Sequence, residues 1–117
     1  MSKLVRLNKQ YYYYNGYGHW CPGCGGGHEI AVGEKNSSGA EWQFNNNLAS
    51  PSFSPSINIR SGRYADPNYT GGGGRICHYF ITDGKIIYCS DTTHALSGKT
   101  VDLPDIPENK YQSCQRL

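Results

Sequence analysis

Residues Trp20-Cys21-Pro22-Gly23-Cys24-Gly25-Gly26-Gly27-His28 place two thiols and an imidazole within eight positions, bent by one proline and four glycines. The Cys-X-X-Cys spacing lets two thiolates share one tetrahedral ion. The glycines let backbone amides turn toward the sulfurs without a Cβ clash. The segment predicts a zinc knuckle, and any fold of this chain must converge on it. A second pair, Cys77-His78, lies far downstream and could close the site.

The rest of the chain makes such a staple necessary. Leu, Ile, Val and Phe number only 20 of 117 residues, while glycine supplies 15. Ten tyrosines and two tryptophans partly replace the missing aliphatics, since aromatic rings bury large areas. A small core of this kind usually needs a crosslink or a structural metal. Residues 1–117 are expected to form one zinc-binding domain. The five cysteines are an odd number, and residues 1–7 are short and charged rather than signal-like. A reducing bacterial cytoplasm suits thiolate ligands better than a secreted disulfide scaffold does. No apolar run approaches the ~20 residues that cross a bilayer. At a formal charge of +2, Arg60, Arg63 and Arg75 make at most a small basic rim, so neither nucleic acid nor a membrane is an expected partner.

The expected fold is mostly β: a small single domain of short antiparallel strands with a zinc knuckle and at most one short helix. Lys3 to Leu7, Tyr11 to Tyr14, Tyr17 to Trp20, Glu29 to Val32 and Glu41 to Asn45 read as strands. Asn15-Gly16 carries a hairpin-turn signal. Phe53 to Arg60 alternates, with Phe53, Pro55, Ile57 and Ile59 on one face and Ser54, Ser56, Asn58 and Arg60 on the other. Pro55 cannot donate to a ladder, which puts this strand at an edge or starts it after the proline. Ser61 to Gly74 reads as a long glycine-rich loop, which points to mobility or function. Ile76 to Thr82 and Lys85 to Ser90 flank Asp83-Gly84, the preferred type I′ pair. A short helical turn through His94-Ala95-Leu96 is capped by Asp91 or Thr92 and closed by Gly98. Residues 104–117 read as an irregular tail, anchored at most by Val101, Leu103 and Ile106.

Cys21 and Cys24 are the first metal ligands. Cys77 with His28 completes a Cys3His set, and His94 and Cys89 are alternatives for either place. Successive strand residues point to opposite faces, so if Cys77 reaches the ion, His78 looks elsewhere. The two-residue turn sets His78 opposite Cys89, on one face with Phe80 and Ile87. His78 is then an imidazole available as a base. Ser52, Ser54 and Ser56 stand at spacing two over a proline-stiffened backbone. Serine needs an adjacent base to become a nucleophile; His78 could serve, with Asp91 or His94 orienting it.

Taken together, Cys-Pro-Gly-Cys with His28, Trp42-Gln43-Phe44-Asn45, Pro-Ser-Phe-Ser-Pro-Ser-Ile, Cys-His-Tyr-Phe-Ile-Thr-Asp-Gly-Lys-Ile and Asp91-Thr-Thr-His94-Ala-Leu-Ser-Gly98-Lys-Thr-Val-Asp-Leu-Pro run in order from Trp20 to Pro104. The set resembles a family of small phage and bacterial zinc-knuckle proteins often labelled "ammonia monooxygenase". That label does not suit the chain, because a membrane copper oxygenase needs transmembrane segments and a copper site. Relatives of the family resemble zinc-containing serine hydrolases of bacterial operons that encode ubiquitin-like conjugation enzymes.

The resemblance implies a hydrolase that cleaves an acyl bond at a protein carboxy terminus and acts on a protein or peptide, a ubiquitin-like modifier among the candidates. It implies Ser56 as nucleophile, with Ser54 its rival, and His78 as base. Asp91 and His94 would support the imidazole. Zinc on Cys21, Cys24, His28 and Cys77 would be structural. Two other readings stand beside it: a non-catalytic zinc-ribbon-like phage protein that binds a host partner, and a metallohydrolase with an open zinc position.

Overall fold

The computed structural model describes residues 2–10, 12–61 and 75–117. Nine strands form two antiparallel sheets, with no helix among the described residues. The first sheet contains β1 (Val5–Leu7), β2 (Gly16–Cys21), β3 (Gly26–Ala31) and β9 (Gln115–Arg116), in the order β3-β2-β1-β9. The second contains β4 (Gln43–Phe44), β5 (Phe53–Ser61), β6 (Arg75–Thr82), β7 (Lys85–Tyr88) and β8 (Thr100–Asp102), in chain order. The main core lies where the sheets face each other: Leu4, Tyr17, Cys21 and Ile30 from one side meet Phe53, Ile57, Cys77 and Tyr79 from the other. Tyr17 packs on Phe44 with ring centroids 4.6 Å apart, so aromatic area replaces scarce aliphatics here. No helix among the described residues is long and apolar enough to cross a membrane.

The knuckle forms the link between β2 and β3. Cys21 ends one strand, Gly25 accepts a left-handed φ of 67°, and Gly26 starts the return. The Asp83-Gly84 hairpin forms as expected, with φ of 50° and 76° and Tyr79 opposite Tyr88. Its tip is docked on the segment before β5: the Gly84 amide donates to the Pro51 carbonyl and the Asp83 amide to Ser52 Oγ. Along β6, Cys77, Tyr79 and Ile81 turn into the core, while His78, Phe80 and Thr82 face outward. In β5, Phe53 and Ile57 are buried, but Pro55 is exposed rather than on their face. A register shift between Phe53 and Ile57 absorbs the residue that cannot donate.

Several expected elements differ. Gly16 is not a turn residue: Leu7 pairs with Gly16, so residues 8–15 form a wide connection. Its missing Cβ is needed because that atom would run into the Ile30 carbonyl. Tyr12 to Tyr14 form bends instead of a strand, and Tyr11 lies outside the described residues. Tyr12 and Tyr14 lie edge to face and cover the outer side of the first sheet beside Val5, Leu7 and Ile106. The expected helical turn is a pair of tight turns through His94 to Lys99, closed by Gly98 at φ 74°. The tail is not wholly irregular. Ile106 donates to the Ser2 carbonyl, Leu117 to Leu4, and β9 pairs with β1. Arg60 and Arg75 are exposed at the ends of their strands; Arg63 and residues 62–74 lie outside the described residues.

Gly16→Ala is expected to destabilise the protein by about 1–3 kcal/mol, because the clash is with backbone that cannot rotate away. Urea denaturation of the two proteins checks it, with unchanged stability as the contrary result.

Candidate metal cluster and catalytic centre

The two faces of β6 carry two separate groups of reactive side chains. On the inner face, the ligand atoms of Cys21, Cys24, His28 and Cys77 lie within 4.8 Å of one another. Cys21 Sγ is 3.8 Å from Cys77 Sγ. Two sulfurs each about 2.3 Å from a tetrahedral zinc would be about 3.8 Å apart, so this spacing suits the ion. The cluster is close enough to bind a metal, and its three thiols and one imidazole are zinc donors.

Neighbouring groups prepare these donors. The Cys24 amide donates to Cys21 Sγ over 3.4 Å, the amide-to-sulfur contact of the knuckle, and Tyr88 Oη lies 3.1 Å from the same sulfur. The hydrogen bond from Cys77, helped by Tyr88 and the Cys24 amide, draws the Cys21 thiol well below the usual thiol range. Cys77, the donor in that pair, is pushed up. Tyr79 Oη bridges two imidazoles, 3.0 Å from His28 Nδ1 and 2.6 Å from His19 Nε2. A metal held through His28 Nε2 would leave its Nδ1–H to donate to Tyr79, which could then donate to His19. His19 is fully buried, its Nδ1 has no partner, and burial, with the His28 ring beside it, pushes its pKa down to about 3.

His94 also belongs to this side. The Leu96 amide donates to His94 Nδ1 over 3.2 Å, so the neutral ring carries its proton on Nε2. That nitrogen lies 3.4 Å from Cys77 Sγ, placing His94 as a donor to the sulfur. The ring stands edge-on to Tyr88 and so close to Gly23 that any Cβ there would collide with it. His94 is therefore not brought beside His78, where sequence reasoning expected it. A cleft of about 520 Å³ opens beside the cluster, with Arg75, Ile76 and Thr93 on its wall.

The outer face carries a three-membered chain. Ser56 Oγ lies 3.0 Å from His78 Nε2, and His78 Nδ1 lies 3.1 Å from both Asp91 carboxylate oxygens. A carboxylate only accepts, so Nδ1 carries the ring proton and Nε2 is free to accept from the serine hydroxyl. Asn58 pairs with His78 across the strands, and Ser56 stands two residues before it on the same face. The Trp42 indole donates to the Ser56 carbonyl over 3.2 Å. Ser54 pairs with Gln43 of β4, inside the same irregular stretch between Phe53 and Ile57.

Beyond Tyr88 the chain leaves the ladder, yet the backbone of β6 remains satisfied. The buried Thr92 hydroxyl donates to the His78 carbonyl at 2.8 Å and accepts from the His78 amide at 3.0 Å. Thr93 serves Ile76 in the same way. Threonine side chains thus replace a strand and carry Asp91 to His78. The Asp-Thr-Thr run was the available sequence signal for this brace. Cys89 lies opposite His78 on the outer face, its thiol pushed up by burial and by the Asp91 carboxylate.

A family model described as "Bacterial ubiquitination-like system serine protease (BubE)" matches residues 2–89. The matched span includes the four-residue cluster, Ser56 and His78. No curated protein and no solved structure gives a significant match.

Chelation is expected to strip a bound zinc and cost several kcal/mol, on the order of the whole folding free energy. His94→Ala should keep the zinc of the Cys21, Cys24, His28 and Cys77 cluster but weaken its binding about 10–100-fold. Competition against a chromophoric chelator measures both, and unchanged affinity would remove His94 from the cluster. His19 makes a separate pH prediction. Its folded pKa lies below the ordinary 6.5, so the unfolded chain takes up a proton that the folded chain refuses. Stability should then fall as pH drops from 6.5 toward about 3, by about 2 kcal/mol at pH 5. The loss should be shallower in His19→Gln; equal pH slopes in thermal melts would contradict this.

Proposed function

The chain belongs to the BubE family of bacterial ubiquitination-like system serine proteases, and from that membership we propose that it is a zinc-stabilised serine hydrolase. It cleaves an acyl bond at a protein carboxy terminus, removing a ubiquitin-like modifier in the bacterial cytoplasm. The observation that carries this reading is the continuous Ser56–His78–Asp91 hydrogen-bond chain on the open face of the second sheet.

In the proposed mechanism Ser56 Oγ attacks the carbonyl carbon as its proton passes to His78 Nε2. The protonated imidazole gives that proton to the leaving group, and the acyl-enzyme forms. Water then repeats the sequence in reverse roles, releasing the carboxylate and regenerating Ser56. Asp91 keeps the proton on Nδ1 and steadies the imidazolium. Its side chain is 49% exposed, so part of that stabilisation is shared with solvent. Phe80 and Ile87 are 42% and 38% exposed and pair across the strands next to His78, an apolar shelf for residues flanking the scissile bond.

Zinc on Cys21, Cys24, His28 and Cys77 has a structural role in this proposal. Four protein donors would complete a tetrahedron and leave no coordination site for a reacting water. The ion would tie the knuckle to β6, whose outward side carries His78.

The test is labelling by a serine-directed fluorophosphonate together with hydrolysis of a modifier–protein fusion. Ser56→Ala should abolish labelling, and Ser56→Ala and His78→Ala should each lose at least about 10³-fold in kcat/KM. Asp91→Asn should lose less than about 10⁴-fold, because its carboxylate is half exposed. Undiminished labelling of Ser56→Ala would overturn the nucleophile.

A further inference from the structure

A second cluster of metal-binding side chains surrounds the base itself. The ligand atoms of His78, Cys89 and Asp91 lie within 4.8 Å of one another, on the face of β6 opposite the knuckle cluster. Rigid backbone presents all three. His78 lies in β6, and the Cys89 amide donates to its carbonyl over 2.8 Å. The Thr92 amide returns to the Cys89 carbonyl, and Ser97 Oγ donates to the Ser90 carbonyl over 3.0 Å, closing the turn that carries Asp91. Thiolate, imidazole and carboxylate together are a donor set for zinc, with a fourth position left for water.

We infer that His78, Cys89 and Asp91 form a second, inhibitory zinc site, at which a divalent ion switches off the serine centre. The ion would occupy the position of the His78 Nδ1 proton, between the ring and Asp91. Binding moves that proton to Nε2 and releases the Cys89 thiol proton to solvent; Asp91 remains a carboxylate. An Nε2 that carries hydrogen donates to Ser56 Oγ and can no longer accept from it, so the serine loses its base. Three protein ligands make a weaker site than the four of the knuckle, which suits reversible control. The inhibitory consequence rests on the serine-hydrolase reading, whereas the binding site does not.

The experiment counts zinc ions by native mass spectrometry and follows fluorophosphonate labelling, comparing the wild-type protein with Cys89→Ala and Cys89→Ser. The wild type is expected to take up one more zinc per chain than either variant. Added zinc should suppress its labelling, and a mild chelator should restore it. Both variants should label normally with or without zinc. Equal zinc counts in all three proteins, or equal suppression of labelling, would overturn the proposal. A one-ion difference without labelling of the zinc-free wild type would support the site and count against Ser56 as nucleophile.

Discussion

The approach of Cys21 to Cys77, sulfur to sulfur at 3.8 Å, is the contact on which the arrangement depends. It joins the end of β2 to the inner face of β6, across a core with few aliphatic side chains to hold two sheets together. Free thiols so close gain little from packing alone, and a shared zinc would convert the contact into a covalent-strength link. Tyr88, Tyr79 and His94 are not generic core residues in this light. Each places a polar atom on a donor of the cluster, and the two tyrosine rings also fill space between the sheets.

That contact has a direct consequence one residue along the chain. A strand alternates its faces, so committing Cys77 inward commits His78 outward. The outward face carries Ser56 and, through the Thr92 brace, Asp91. The Cys/His cluster and the proposed serine centre are therefore adjacent in sequence but separated by the thickness of a sheet. Chemistry on the outer face need not disturb the thiols, and the inner face can be optimised for rigidity.

The parts legible in the sequence were those fixed by local stereochemistry. Asp83-Gly84 dictates a type I′ turn, and the turn dictates that His78 faces Cys89. The Cys-X-X-Cys spacing and the alternation of β6 likewise depend on neighbours within a few residues, whereas the alternation expected of β5 is broken at the exposed Pro55. What escaped depends on distant partners. Asn15-Gly16 has hairpin chemistry, but Gly16 is needed against the Ile30 carbonyl, a packing demand from β3. The two-residue β9 has no pattern of its own and exists because β1 offers an edge. The tyrosine run has strand propensity, yet the Tyr12 and Tyr14 rings pack over Val5 and Leu7, outside the ladder. His94 reads from the sequence either as a support for His78 or as an alternative metal ligand; in space Gly23 makes room for it on the knuckle, beside Cys77.

The four histidines show how the same side chain is assigned different work by one partner atom. The Asp91 carboxylate holds the proton of His78 on Nδ1 and leaves Nε2 as an acceptor toward Ser56. A backbone amide at Nδ1 does the opposite for His94, turning Nε2 into a donor toward Cys77. Tyr79 can hold His28 with Nε2 bare for a metal, while His19 accepts the phenol proton in a site that excludes charge. Exchanging the partners would exchange the roles: a backbone donor in place of Asp91 would leave His78 unable to accept from Ser56. The residue types alone therefore do not define this centre. The proposed serine chemistry depends on an acceptor at Nδ1, and the half-exposed turn that supplies it is also where an ion could take its place.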